Sequence, residues 1–173
     1  PRGRWPNWVL GNHDKPRIAT RVGPAQARVA AMLLLTFRGT PTLYYGDELG
    51  MENVDIPPGR MRDGWEKNEP GGGFSRDPQR TPMPWDAAPN AGFTTGTPWL
   101  PLSRDCAQRN VATLAAEPGS ILTLYRRLIA LRHARTALAL GAKRLLPAPE
   151  GTLVYERADG AERLYVALNL THA

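Results

Sequence analysis

Apolar runs separated by polar clusters predict a strand, a helix and a second strand in the first fifty positions. Residues 8–10 form a short apolar run that ends in the polar cluster 12–14. Pro24 is well placed as the first residue of a helix to about Phe37. Its residues 29–35 are apolar all round, as in a helix buried between neighbours. Residues 43–45 form a second apolar run. A strand, a long crossover and another strand predict a βαβ unit with parallel strands.

The last third of the chain shows a helical period followed by a period of two. Ser120 is the predicted cap of a helix to about Arg135, whose apolar stripe consists of Ile121, Leu124, Tyr125, Leu128 and Ile129. Its basic residues predict a solvated face near the negative end of the helix dipole: Arg126, Arg127, Arg132, His133 and Arg135. Residues 152–157 and 162–170 alternate in polarity around Asp159-Gly160, which predicts a β-hairpin.

The segment between Asp55 and Pro101 is rich in residues that interrupt regular structure. It holds nine prolines and seven glycines, which predicts that it contains no helix or central strand. It also holds five aromatic residues: Trp65, Phe74, Trp85, Phe93 and Trp99. Linkers contain few aromatic residues, whereas long ordered loops in compact domains are usually functional lids. We therefore expect an ordered, packed loop.

Composition and charge exclude several classes of protein. Of the 173 residues, 42% are hydrophobic and 22% are charged, so the chain can bury a core. The net charge of +6 is spread along the chain without a basic block, which argues against a nucleic-acid partner. No apolar run approaches the roughly 20 residues that cross a bilayer, so no membrane partner is expected. The single Cys106 weakly favours a reducing compartment, and residues 1–6 show no signal peptide, so we expect a cytoplasmic location.

The strand ends carry the candidate chemistry. Two parallel strands and two helices cannot cover one another's apolar faces, which indicates a piece of a larger fold. In α/β folds, functional residues lie at the C-terminal ends of parallel strands, where this chain has Asp14, Asp47 and Glu48. One imidazole and one carboxylate at His13 and Asp14 are too few for a metal site, and no nucleophile elbow is present. Taken alone, this pair is more typical of a hydrogen-bonded loop.

Three sequence blocks follow one another in the first hundred residues: GNHDKPR at 11–17, GTPTLYYGDELGM at 39–51, and SRDPQRTPMPWD at 75–86 with AGFT at 91–94. The first block resembles the fourth signature region of the α-amylase family, glycoside hydrolase family 13. The second resembles the eighth-strand segment of the same family. The third is similar to the α-glucosidase and oligo-1,6-glucosidase branch.

The resemblance implies an α/β fold: the C-terminal portion of a (β/α)8 TIM barrel, from strand seven to helix eight, followed by the start of an all-β domain. Residues 1–135 would belong to the barrel, with a lid loop over 46–119, and residues 136–173 would begin a C-terminal β-sandwich. The first six strands are absent, and with them the aspartate nucleophile and the glutamate acid/base that the family places after strands four and five. We therefore expect the chain alone to be inactive.

The resemblance also implies roles for individual residues. Asp14 would be the catalytic transition-state stabiliser, and His13 and Arg80 would bind the sugar. Arg76 is a weaker candidate for the contact assigned to Arg80. For either arginine, the alternative is an ion pair with an acid of its own block, at position 77 or 86.

The adjacent acids Asp47 and Glu48 do not match the catalytic pair. A retaining glycosidase needs two carboxyl groups about 5 to 5.5 Å apart that flank one bond. Neighbouring residues at a strand end point to opposite sides, and the family gives no catalytic role to its matching acids. We therefore expect both residues to be structural.

The implied function is that of a retaining, exo-acting α-glucosidase that acts on short α-linked gluco-oligosaccharides or disaccharides, without a metal or cofactor. One alternative is a glycosyl-transferring or isomerising relative, of the trehalose synthase or sucrose isomerase type. Another is a non-catalytic barrel, such as the ectodomain of an amino-acid transporter heavy chain. The preference between α-1,4 and α-1,6 bonds and the oligomeric state stay open.

Overall fold

The computed structural model describes residues 4–171, and its first elements form the expected βαβ unit. Strand β1 (Asn7–Val9) and strand β2 (Thr40–Thr42) pair in parallel, with Asn7 opposite Thr40 and Val9 opposite Thr42. Helix α1 (Ile18–Thr36) connects the two strands. The parallel pairing confirms the predicted topology.

The second strand lies three residues earlier than the apolar run 43–45 predicts. Tyr44 and Tyr45 leave the sheet, and their hydroxyl groups donate to the backbone oxygens of Gln79 and Thr81 at 3.1 and 2.7 Å. The guanidinium carbon of Arg17 lies 5.1 and 4.7 Å from the centres of the two rings. The two tyrosines of this run therefore pack against the long loop and the buried Arg17 and do not extend the strand.

Helix α1 begins before the predicted position and contains a break. Gly23 has φ 80° and ψ 161°, which are not helical, and Pro24 follows it. Pro24 thus starts the continuous helical segment, as the sequence predicts, while the turn from Ile18 was missed. Only glycine adopts this backbone conformation without strain, so the break depends on residue 23.

The long loop is ordered, but it is not free of helix. Helix α2 (Gly64–Asn68) forms inside the segment that was predicted to contain none, and helix α3 (Val111–Ala116) forms after it. Residues between Pro58 and Pro70 include no proline, and Asp63 caps α2 by accepting from the Trp65 N–H. The loop is anchored by buried Met51, Ile56 and Leu100. Its aromatic side chains, which suggested a packed loop, are exposed at 39–61%.

Helix α4 (Ile121–Ala134) begins as predicted, because the Ser120 hydroxyl accepts from the Thr123 N–H at 3.1 Å. Its residues Tyr125 and Leu128 pack against Ala31 and Leu35 of α1. The predicted basic face is exposed at Arg126, Arg127, His133 and Arg135. Arg132 is the exception and corrects the prediction: it is buried, and burial lowers its pKa.

The C-terminal residues form a three-stranded antiparallel sheet in the order β3-β4-β5. After the short helix α5 (Thr136–Ala139), the strands are β3 (Ala142–Leu146), β4 (Thr152–Asp159) and β5 (Glu162–Asn169). The predicted hairpin is confirmed, although Asp159 pairs with Glu162 and the turn is Gly160-Ala161. Strand β3 was missed because its sequence AKRLL does not alternate in polarity.

The sheet packs directly on α1. Its buried residues Tyr155, Val166 and Leu168 form one core with partly buried side chains of the helix: Val29, Met32, Leu33 and, just beyond it, Phe37. The division into units at residue 135 stays a prediction. Among residues 4–171, no helix has the length and apolar character that would let it cross a bilayer.

Candidate active site

Asp14 lies in the turn after β1, at the C-terminal end of the parallel pair. The Asn12 side chain shapes this turn, because its Oδ1 accepts from the backbone N–H of Asp14 at 2.8 Å. His13 Nε2 is 3.4 Å from Asp14 Oδ2. The side chain of Asp14 is 49% exposed, so the carboxylate is held by its neighbours and is still open to a ligand.

Two arginines of the long loop converge on one oxygen of this carboxylate. Arg76 Nη1 is 3.2 Å and Arg80 Nη2 is 3.0 Å from Asp14 Oδ1. Arg80 also donates from Nε to the backbone oxygen of His13 at 2.9 Å. The structure thus brings together His13, Asp14 and Arg80, as the sequence suggested, and adds Arg76. The arginines form their ion pairs here, and the alternative of a pair with Asp77 or Asp86 is wrong.

Arg76 is shared between Asp14 and a second carboxylate, that of Asp63. Arg76 donates from Nε to Asp63 Oδ2 at 2.7 Å and from Nη2 to Asp63 Oδ1 at 2.8 Å. Its backbone N–H also donates to Asp63 Oδ2, at 2.7 Å. These bonds hold the pKa of Asp63 well below its usual range and raise that of Arg76. Sequence reasoning missed Asp63, whose only local signal is its position before a short helix.

A cleft of about 650 Å³ lies beside this cluster. His13 and Arg80 contribute to one side of it, together with Tyr44, Tyr45 and Glu48. The other lining residues come from the long loop and are mostly apolar: Thr81, Pro82, Met83, Trp85, Phe93 and Trp99. An apolar cleft next to a few convergent polar groups is the usual form of a small-molecule site.

Asp47 and Glu48 lie in a 3-10 turn (Asp47–Leu49), not at the end of a strand as the prediction assumed. Asp47 is buried, its Oδ2 accepts from the Tyr44 N–H at 3.3 Å, and burial raises its pKa to about 6. A Cβ atom at Gly11 would lie 3.1 Å from both carboxylate oxygens of Asp47. Burial also raises the pKa of Glu48. Asp47 is therefore enclosed by the fold, whereas Glu48 borders the cleft.

The described part of the chain contains no group of three or more His, Cys, Asp or Glu side chains that could hold a metal ion. The polar contacts of the Asp14 side chain come from the three side chains around it. These are His13, Arg76 and Arg80.

A family model described as the catalytic domain of alpha amylase matches residues 1–141. The chain belongs to the α-amylase family. In family terms, the fold is the C-terminal portion of the (β/α)8 barrel followed by the start of an antiparallel β domain, as the sequence predicts. The turn that carries Asp14 is thus at the end of the barrel where this fold holds its active sites.

The chain is similar to proteins named as enzymes and to one named as an amino acid transporter heavy chain. The chain is 33% identical to a probable alpha-glucosidase of Rhizobium meliloti, over 99% of this chain and 32% of that protein. It is also 33% identical to the amino acid transporter heavy chain SLC3A1 of Mus musculus, over 97% of this chain and 24% of that protein. Among solved structures it is similar to the alpha-glucosyl transfer enzyme XgtA, with a TM-score of 0.89 at 35% identity, over 96% of this chain and 32% of that one. The chain thus spans a third or less of these relatives.

Proposed function

We propose that this chain contributes the transition-state-stabilising carboxylate, Asp14, to a retaining, exo-acting α-glucosidase that hydrolyses short α-linked gluco-oligosaccharides. The observation that carries the proposal is the half-exposed carboxylate at the C-terminal end of β1, held by two arginines and a histidine. The proposal concerns the complete-barrel enzyme, by which we mean a polypeptide that carries this chain together with the remaining strands of the barrel.

The arrangement suits the chemistry of glycoside hydrolysis. Cleavage passes through a flattened, oxocarbenium-like sugar, and hydrogen bonds to the 2-hydroxyl group strengthen as this state forms. Both arginines contact Asp14 at Oδ1, whereas Oδ2 has only His13 Nε2 near it, at 3.4 Å, and the His13 and Asp14 side chains are 65% and 49% exposed. An ionised carboxylate in this position would accept hydrogen bonds from sugar hydroxyl groups, and its charge would stabilise the cationic ring.

Arg80 is placed to contribute to sugar binding. It lines the cleft and is fixed at two points, on Asp14 and on the backbone of His13. A planar guanidinium held in this way presents its remaining N–H groups in a defined direction, which suits vicinal hydroxyl groups. We assign Arg80 and His13 to substrate binding in the complete-barrel enzyme.

Glycosyl transfer is a second candidate, and one observation favours it. Most of the cleft wall beside His13 is apolar, with Trp85, Phe93 and Trp99 on one side. Such a wall would bind an acceptor sugar and keep water away from the reacting carbon. The similarity to the alpha-glucosyl transfer enzyme XgtA also supports glycosyl transfer. A non-catalytic barrel, as the similarity to SLC3A1 would suggest, has no need of two arginines directed at an exposed carboxylate.

One experiment tests the proposed function. The complete-barrel enzyme is incubated with maltose or isomaltose, and the products are separated over time. Release of glucose that balances substrate loss supports hydrolysis. Oligosaccharides longer than the substrate support transfer instead, and no turnover of either sugar or of p-nitrophenyl α-glucoside contradicts both proposals.

A further inference from the structure

We propose that Asp63 is a positioning residue that acts through Arg76 to orient the Asp14 carboxylate. The inference rests on the proposed role of Asp14. Asp63 lies in the long loop, just before α2, and its side chain is 1% exposed. It contacts neither Asp14 nor the cleft, so its effect on the site passes through Arg76.

The geometry of the Asp63–Arg76 pair determines where the third nitrogen of the guanidinium points. Nε and Nη2 each donate to a separate oxygen of Asp63, at 2.7 and 2.8 Å. Because the guanidinium is planar, fixing two nitrogens also fixes the direction of Nη1. That nitrogen is the one that lies 3.2 Å from Asp14 Oδ1. The Trp65 ring also packs on the Arg76 guanidinium, with 5.3 Å between the ring centre and the guanidinium carbon.

Asp63 is itself fixed by the loop. Its backbone N–H donates to Asp77 Oδ2 at 2.9 Å, and Asp77 is buried next to Arg76. Both ends of the segment 63–77 are thus tied together at the point where the segment meets Asp14. This places a rigid, charged link between the long loop and the carboxylate that follows β1.

The competing interpretation is that Asp63 only stabilises the loop as the cap of α2. Its Oδ1 does accept from the Trp65 N–H, at 3.3 Å. Glu66 offers a matched control, because it is also buried in α2 and holds the same loop. It accepts from the backbone N–H groups of Gly71 at 2.8 Å and Phe74 at 3.0 Å, with no hydrogen bond to Arg76 or Asp14.

The test compares Asp63→Asn, Arg76→Lys, the double variant and Glu66→Gln in the complete-barrel enzyme. Asparagine can still cap α2, whereas lysine keeps the charge of Arg76 but cannot form the two-pronged contact. Each single change at the pair is expected to lower kcat roughly 10- to 100-fold with KM within about twofold, because misplacement of a catalytic group acts on the reacting state. The double variant should be no slower than the slower single variant, since both changes break one link.

Glu66→Gln is expected to lower the melting temperature while kcat stays within about twofold, as for a residue that only orders the loop. The inference is overturned if Asp63→Asn keeps kcat within twofold, if the losses multiply in the double variant, or if Glu66→Gln loses as much kcat. If Asp63→Asn does not fold, Asp63→Ser gives the decision, because serine can still cap α2 but cannot accept from both Nε and Nη2 of Arg76.

Asp14→Asn, measured in parallel, separates this inference from the proposed function. If Asp14→Asn loses kcat but the Asp63 and Arg76 variants do not, only this inference is overturned. If Asp14→Asn keeps full activity, both the inference and the proposed role of Asp14 are overturned.

Discussion

Arg132 and Arg157 converge on the backbone oxygens at the C-terminal end of α1. Arg132 Nη1 donates to the backbone oxygen of Leu35 at 2.9 Å, and Arg157 Nη1 donates to that of Thr36. Both arginines are buried, and burial lowers the pKa of Arg157 to about 10. The last carbonyl groups of a helix lack partners within the helix and carry the negative end of its dipole. The cation from α4 therefore joins that helix to the end of α1, and the cation from β4 joins the C-terminal sheet to the same end.

Arg157→Ala is expected to destabilise the protein by about 2–4 kcal/mol, because it leaves buried carbonyl groups of Thr36 and Gly141 without donors. Chemical denaturation of the complete-barrel enzyme measures the change. Arg144→Ala is the control on the same sheet, since its ion pair with Glu156 involves a side chain that is 67% exposed. It should cost no more than about 1 kcal/mol. Equal losses for the two variants would contradict the role assigned to Arg157.

Asp14→Asn keeps the shape of the side chain and removes its charge. In the complete-barrel enzyme, kcat and kcat/KM should fall together by roughly 10²- to 10³-fold, while KM changes little. Steady-state kinetics on folded, quantified protein measures this. Asp159→Asn, at the exposed hairpin, is the control and should leave both constants unchanged. An Asp14→Asn enzyme that keeps more than about a tenth of the original kcat would show that the carboxylate is not catalytic.

Arg80→Ala should behave differently, because Arg80 both lines the cleft and contacts Asp14. We expect KM for the natural sugar to rise, together with a fall in kcat that is smaller than that of Asp14→Asn. The same kinetic assay measures both constants, with Arg163→Ala, at an exposed position in the hairpin, as control. Unchanged kinetics with a lower melting temperature would mean that Arg80 only stabilises the loop.

Asp47 gives a prediction about pH. Its pKa rises from 3.8 to about 6 in the folded protein, because burial disfavours the ionised carboxylate. Between these two values the folded state binds the proton more tightly than the unfolded chain does, so the contribution of Asp47 to stability falls as the pH rises. Above about pH 6 the carboxylate is ionised in both states and its burial cost is fully present.

Asp47→Asn should therefore stabilise the complete-barrel enzyme by about 1–3 kcal/mol at pH 7, since two pKa units correspond to nearly 3 kcal/mol. The gain over the unchanged protein should shrink as the pH falls from 6 and disappear below about 4. Denaturation curves at several pH values measure the difference in unfolding free energy between the variant and the unchanged protein, with Asp159→Asn as an exposed control. A gain that is constant across this range would show that the charge of Asp47 is not its source.

The 173-residue chain by itself is expected to associate in solution. Its βαβ unit leaves apolar side chains of β1 and of the run after β2 exposed, with Trp8 at 40%, Val9 at 43% and Leu43 at 41%. A two-stranded parallel sheet also presents unpaired strand edges, which favour pairing between chains. Size-exclusion chromatography with light scattering measures the mass. A monomer with a sharp, cooperative unfolding transition would contradict the prediction.

Several elements were predictable because their signals act over a few neighbouring residues. The Ser120 cap and the apolar stripe after it indicated α4, and the alternation around Asp159-Gly160 indicated the β4–β5 hairpin. The family motifs brought attention to His13, Asp14 and Arg80, which the structure places together. Boundaries were less predictable, because a run such as 43–45 is equally apolar in a strand and in a packed turn.

By itself, the amino-acid sequence determined the order of the main elements and the family to which this chain belongs, since periodicity, caps and motifs are local. Tertiary structure alone decided the partners of the charged side chains. By its spacing, Arg132 belongs to the basic face of α4. It is nevertheless buried, because α1 ends beside it and the guanidinium donates to the backbone oxygen of Leu35. Arg76 meets Asp14 across 62 positions and Asp63 across 13. Such pairs depend on how the long loop closes, and no pattern within a few residues records that closure.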